Sequence, residues 1–220
     1  MTKEIKDLLE ENEKDPIEEL YKSLIKKNLA ISLFPIYFKC KIIAKKILCK
    51  LNNLPKKYNI QDVDNTWITA WHGTNFLNLE SIVEVGLKPA GGKIKNGKEI
   101  QVCVSHIERR YSIDDIHDWA NGIFISPSIF YSANPSYAKD IPCNNEPWKV
   151  LVEVRVKPNS YYEHESTCRK YVPVKGEPKM LEYRIEPKNE SDVQVYSLTF
   201  VKSEFFENVK NYSEGEFLKF

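Results

Sequence analysis

A histidine and a bare glycine close an apolar run at Trp71-His72-Gly73-Thr74, and a helix-start signal follows at once. Such a strand-to-helix corner offers a ligand a ring nitrogen together with backbone N–H and C=O groups that no Cβ shields. A carboxylate stands far along the chain on a strand candidate. Alternation from Leu181 to Ile185 sends Leu181, Tyr183 and Ile185 to one face and Glu182 with Arg184 to the other, where the cation would help keep the carboxylate ionised. Between these segments lie Ser132 and Tyr137, a hydroxyl and an amphipathic ring. Taken singly, each has a plain structural account: a core histidine, a surface glutamate, a helix cap, a packing aromatic.

Other groupings carry less. Cys103 and His106, with His117, Cys143 or Cys168 as further ligands, make a Cys-x-x-His with no matching second pair, so no metal is expected. Glu163-His164-Glu165 falls just past a strand in a polar turn and reads as a solvated loop.

The elements that must position these groups follow from periodicity. A short amphipathic helix is expected over Lys3 to Leu9. Asp15-Pro16 then caps a helix with Ile17, Leu20, Tyr21 and Leu24 on one stripe. A second helix is expected after Pro35, with Tyr37, Phe38, Ile42, Ile43, Ile47 and Leu51 inward and Lys39, Lys41, Lys45, Lys46 and Lys50 outward. That face is a solvated one in the commoner case, or a contact for nucleic acid or another acidic partner along Lys39 to Lys57. Asn52 to Asn65 reads as a linker.

Beyond it, Thr66 to Trp71 reads as a strand, and Phe76, Leu79, Ile82 and Val83 line a helix that Gly86 ends with a positive φ. The polar segment from Gly91 to about Trp119 is too long for a simple connection, so it is a lid or holds small elements of its own. Gly122 to Ser126 is a strand, Asn134-Pro135 opens a helix carrying Tyr137 and Ala138, and Lys149 to Val156 and Val193 to Val201 alternate as strands. The sum is class α+β, mostly antiparallel, with small helices.

Composition bounds the rest. The chain has 220 residues, 42% hydrophobic and 12% aromatic, which argues against disorder. Lys plus Arg number 32 against 31 Asp plus Glu, so no global charge draws the chain to nucleic acid or membrane. Seven lysines and no acid lie between Lys39 and Lys57, a local imbalance. Five widely spaced cysteines suit a reducing compartment, hence an intracellular protein, cytoplasmic or nuclear. The opening residues lack a secretory h-region, and the apolar run Leu29 to Ile36 is too short to span a membrane.

In this order the segments resemble the poly(ADP-ribose) polymerase-like ADP-ribosyltransferases of the diphtheria-toxin type. His72-Gly73-Thr74-Asn75-Phe76-Leu77-Asn78-Leu79, running on to Gly86-Leu87-Lys88, matches that family's His-Gly-Ser/Thr strand end, helix and Gly-Leu turn. Gly122-Ile123-Phe124-Ile125 is similar to its Gly-Ile-Tyr-Phe strand. Tyr131-Ser132-Ala133-Asn134-Pro135-Ser136-Tyr137 keeps the serine-to-tyrosine spacing of mono-ADP-ribosylating members, and Glu182-Tyr183 resembles the strand bearing the glutamate.

The resemblance covers about residues 66 to 201. It implies a split, mostly antiparallel β-sheet core over 66–205, and periodicity places a helical region with a basic helix over 1–60 before it, leaving a tail over 206–220. It also implies NAD as ADP-ribose donor and a protein as acceptor. His72 would bind a hydroxyl of the adenosine-side ribose. Gly73, with Thr74 beside it, would pair its backbone with the nicotinamide amide, Ser132 would add a hydrogen bond, Tyr137 would stack on the ring, and Phe124 would close the other side. Glu182 would bind the 2′-hydroxyl of the nicotinamide ribose and stabilise an oxocarbenium-like state. Phe124 stands where the family usually has tyrosine. The same resemblance leaves an alternative function, a catalytically silent module that binds NAD or ADP-ribosylated partners.

Overall fold

In a computed structural model, residues 15–38, 41–51, 54–94, 97, 99–101, 119–168 and 171–207 are described. The helix expected over Lys3 to Leu9, the cysteine and histidines at 103, 106 and 117, and nearly all of the tail expected over 206–220 lie outside them.

Helix α1 (Pro16–Lys26) begins as its cap predicts, with Asp15 Oδ1 accepting the Ile17 N–H at 2.9 Å, and it buries Ile17 and Leu24 completely. The chain turns at Asn28 (φ 58°) into strand β1 (Ala30–Phe38), which pairs antiparallel with β2 (Lys41–Cys49). The expected basic helix is therefore a β-hairpin. Isoleucines at 42, 43 and 47 satisfy a helical stripe and a doubly covered strand equally well, and branching at Cβ favours the strand. Pro35 is tolerated because β1 is the edge of the sheet.

The lysine face dissolves with the helix. Successive side chains of a strand point to opposite faces, so Lys45 pairs with Asp15 on one side and Lys46 with Glu153, 2.6 Å away, on the other. Lys50 donates to Asn28 Oδ1. Lys39 and the side chains of residues 37, 38 and 41–43 lie outside the described set. The surface expected to meet nucleic acid or an acidic partner is, at Lys45 and Lys46, interior ion pairing.

The stretch expected as a linker contains helix α2 (Ile60–Thr66), capped by Asn59. Strand β3 (Ile68–Gly73) follows, then a 3-10 turn over Phe76–Asn78 and helix α3 (Leu79–Val85), which Gly86 ends at φ 80° as expected. Next come β4 (Ile123–Ile125), the single turn α4 (Ile129–Ser132), β5 (Asp140–Cys143), β6 (Glu146–Val156), β7 (Tyr162–His164), β8 (Glu182–Ile185), β9 (Val193–Lys202) and α5 (Ser203–Glu207). Asn134-Pro135 opens no helix. The Asn134 side chain accepts the Ser136 N–H and its carbonyl accepts those of Tyr137 and Ala138, a tight turn that competes with helix at such residues.

The architecture is α+β, with mostly antiparallel sheets and few short helices. The larger sheet runs β1-β2-β9-β6-β3, with β5 also on β6, and the smaller runs β4-β8-β7. Trp71 and Ser126 join them by exchanging backbone hydrogen bonds of 2.8 Å in each direction. One face of the large sheet packs Val150, Val152, Leu198 and Phe200 against α1 and α3, and the other packs Leu151 and Val201 with Ile129, Phe130 and Phe205. Burial of each such side chain stabilises the fold by about 1.5–3 kcal/mol. Among the described residues no helix is long and apolar enough to cross a membrane.

Candidate functional site

The two sheets meet where β3 ends, and this junction holds the residues singled out in the sequence. His72 pairs with Val152 in the large sheet, while its Nδ1 lies 2.9 Å from the Phe124 carbonyl on β4. A carbonyl only accepts, so Nδ1 carries the proton and Nε2 is left as an acceptor. Burial holds the imidazole below its ordinary pKa of 6.5, against the opposing pull of the Phe124 carbonyl, so the neutral ring predominates at pH 7.

Gly73 is required by close approach. A Cβ there would stand 2.1 Å from the Ser132 carbonyl oxygen and 2.9 Å from Tyr137 Cβ. Gly73 also lines a cavity at this junction. Thr74 is buried and takes a hydrogen bond from Asn78 Nδ2 at 3.3 Å on its hydroxyl.

Opposite this corner, Ser128 caps α4 by accepting the Tyr131 N–H at 3.1 Å and donates its own hydroxyl to Glu177. The turn presents Tyr131 and Ser132. Ser132 Oγ donates to the Trp71 carbonyl at 3.1 Å, which commits its proton and leaves its lone pairs for an incoming N–H. Tyr137 comes from the Asn134 turn, its hydroxyl 3.0 Å from that of Tyr131.

Glu182, on β8, is 4% exposed. Its Oε1 accepts from the hydroxyls of Tyr131, Tyr137 (3.3 Å) and Thr167 (2.5 Å) and from the Thr167 N–H (3.3 Å). Its Oε2 is buried with no hydrogen-bond partner among the described residues. A buried carboxylate oxygen without a donor is costly, and a ligand hydroxyl would relieve it. Burial first, and then the Glu182 carboxylate, push the Tyr131 phenol up to about 12. Tyr137 is raised as well, by burial and then by Tyr131 and Glu182. Both phenols therefore remain protonated donors.

Arg184 shares the Glu182 face, as alternation predicts, but takes another partner. Its Nε donates to the Trp119 carbonyl at 2.8 Å and its guanidinium covers the Trp119 ring at 4.9 Å. Hydroxyls, rather than this cation, surround Glu182. Phe124, across from Arg184 in the sheet, sets its ring 6.0 Å from that of Trp119.

All the site residues expected from the sequence, His72, Gly73, Thr74, Phe124, Ser132, Tyr137 and Glu182, line one cavity of about 570 Å³. That lies within the range of small-ligand pockets, about 300–1,000 Å³. Of the long segment after Gly91, Lys93 and Glu99 are joined by an antiparallel bridge, and Ile94, Glu99, Ile100 and Gln101 edge the cavity.

Sequence reasoning assigned no part to Tyr131 and Thr167. Tyr131 sits inside a motif already quoted, where its adjacency to Ser132 is the signal. Thr167 has none, since a single threonine in a loop is common and only the fold brings it to Glu182. Of Glu163-His164-Glu165, the first two lie in β7 rather than in a loop, and Glu165 follows the end of that strand. His164 pairs with Glu182 across β7 and β8 and sets its ring edge on Trp119, with centroids 4.0 Å apart, while Glu163 and Glu165 are exposed. Cys143 lies beside Asp15, its thiol pushed up to about 12 chiefly by burial, and Cys168 gives its N–H to Tyr131 Oη, so these two serve no common centre. No sequence profile of a known family matches the chain, and neither does any curated protein.

Proposed function

We propose that this chain has the ADP-ribosyltransferase fold and is an NAD-dependent mono-ADP-ribosyltransferase acting on a protein acceptor inside the cell. The observation that carries the proposal is the convergence of His72, Gly73, Phe124, Ser132, Tyr137 and Glu182 on one cavity, with Glu182 Oε2 left as a buried acceptor.

These groups fit the donor's chemistry. The Gly73 backbone and the Ser132 lone pairs suit a primary amide, and the rings of Tyr137 and Phe124 suit a flat heterocycle. His72 Nε2 can accept from a ribose hydroxyl. Oε2 can accept from the 2′-hydroxyl next to the reacting carbon. In the reaction the bond from nicotinamide nitrogen to C1′ breaks and its electron pair leaves with neutral nicotinamide. The acceptor nucleophile then bonds C1′ and gives up its proton. Positive charge builds on the ribose ring as the bond breaks, and a fixed carboxylate in a site shielded from water stabilises it. Three described cysteines, Cys49, Cys143 and Cys168, are free thiols, which suits a reducing compartment.

The test is incubation with labelled NAD and cell extract. Wild type is expected to release nicotinamide and transfer label, and Glu182→Ala to lose at least about 100-fold in turnover. A folded wild type giving no transfer, no automodification and no hydrolysis sinks the proposal.

One feature favours the alternative of a silent NAD- or ADP-ribose-binding module: Phe124 offers a ring without a hydroxyl. Calorimetry separates the two. Tight NAD binding without turnover, equal in wild type and Glu182→Ala, is the signature of the silent module.

A further inference from the structure

We propose that Thr167, with Tyr131, is the positioning residue for Glu182, turning the carboxylate so that Oε1 is saturated by the protein and Oε2 alone faces the donor's ribose. The inference rests on the NAD reading above. It arises from an asymmetry in one buried side chain. Every described donor to Glu182 goes to Oε1, and none to Oε2. A carboxylate held by donors on one oxygen keeps its plane fixed, with the other oxygen turned away from them.

Thr167 holds that plane from two atoms. Its hydroxyl at 2.5 Å and its backbone N–H at 3.3 Å reach the same oxygen from the segment that joins β7 to β8. Thr167 is only 9% exposed. That segment is itself tied down through Tyr131, whose hydroxyl donates to Glu182 and lies 3.2 Å from Ser166 Oγ and 3.3 Å from the Cys168 N–H. Residues 166 to 168 thus form a strap across the outer side of the carboxylate. Two donors from one residue meeting the same oxygen fix both its position and its approach, so a strap of this kind can set an orientation to within the tolerance a reacting centre needs.

A residue that only supports the fold would lower turnover of every donor alike. A residue that aims Oε2 at one hydroxyl matters only when that hydroxyl is present. Nicotinamide release is therefore measured for wild type, Thr167→Val, Thr167→Ser and Tyr131→Phe, with NAD and with an analogue lacking the 2′-hydroxyl of the nicotinamide ribose. Thermal melting confirms that each variant is folded.

With NAD, Thr167→Val is expected to lose about 10-fold or more in kcat with KM little changed, and Thr167→Ser to recover most of it. With the analogue, wild type and Thr167→Val are expected to be equal, because the oriented contact no longer exists. Equal losses on both donors, or no loss on NAD, overturn the inference while leaving the NAD reading intact. A wild type that neither binds nor turns over NAD overturns the NAD reading and this inference with it. If Thr167→Val does not fold, Tyr131→Phe carries the same comparison, since it removes another hydroxyl from the same oxygen.

Discussion

The imidazole of His72 and the backbone carbonyl of Phe124 are joined by a 2.9 Å hydrogen bond that crosses from the large sheet to the small one. One bond sets two things. It fixes which ring nitrogen is free to accept, and it ties the corner that ends β3 to the strand carrying the facing aromatic. The proposed donor pocket is thus built across the seam between the sheets, and its geometry depends on that seam holding.

A pH dependence follows. Burial keeps His72 below its ordinary 6.5, so the unfolded chain takes up a proton first as pH falls. The stability contributed by the neutral, hydrogen-bonded ring is complete above about 6.5 and is lost as pH drops below it. Urea unfolding at a series of pH values should show this decline. His72→Asn keeps a donor near Nδ1 but has no ionisable ring, and should flatten the curve between pH 7 and pH 5. An unchanged slope would show that other groups set it.

Gly73 should be intolerant of even one added carbon. The Cβ of alanine would lie 2.1 Å from the Ser132 carbonyl, a backbone atom that cannot swing aside. Gly73→Ala is expected to cost about 3 kcal/mol in urea unfolding, at the upper end for overpacking, and to abolish ligand binding because the β3 corner must withdraw from α4. Full stability with normal binding would mean that the corner is more yielding than its contacts imply.

The hairpin lysines should behave as interior groups. Lys46 meets Glu153, which is 4% exposed and also accepts from Ser197 Oγ at 2.5 Å. Lys46→Met removes the cation and strands the carboxylate. A fully buried pair broken this way costs about 3–5 kcal/mol. Here about 2 kcal/mol is expected, because the Lys46 side chain keeps 16% exposure and Arg155 remains 3.6 Å from Glu153. Lys22→Met, at an exposed pair with Glu19, should leave the urea midpoint unmoved. Equal behaviour of the two variants would restore the picture of a solvated lysine face.

The sequence by itself determined the elements whose signals are local. Asp15-Pro16 announces α1, Gly86 ends α3, and valines alternating from 150 to 156 place β6, because caps, positive φ and period-two burial are properties of a few neighbouring residues. The motifs at His72, Phe124, Ser132, Tyr137 and Glu182 stood out only through their resemblance, taken together and in order, to a known family's segments, and the fold brings them to one cavity. Tertiary structure decided the rest. The run from Ile42 to Ile47 fits helix and strand alike until β2 pairs with β9 and its two faces enter different cores, Ile47 in one and Ala44 in the other, so that consecutive lysines meet carboxylates on opposite sides. Residues 166 to 168 carry no local pattern, and only the approach of β7, β8 and α4 sets Thr167 and Tyr131 on one oxygen of Glu182. Which oxygen of a carboxylate is left free depends on contacts between segments that are distant in sequence, and no spacing rule along the chain encodes it.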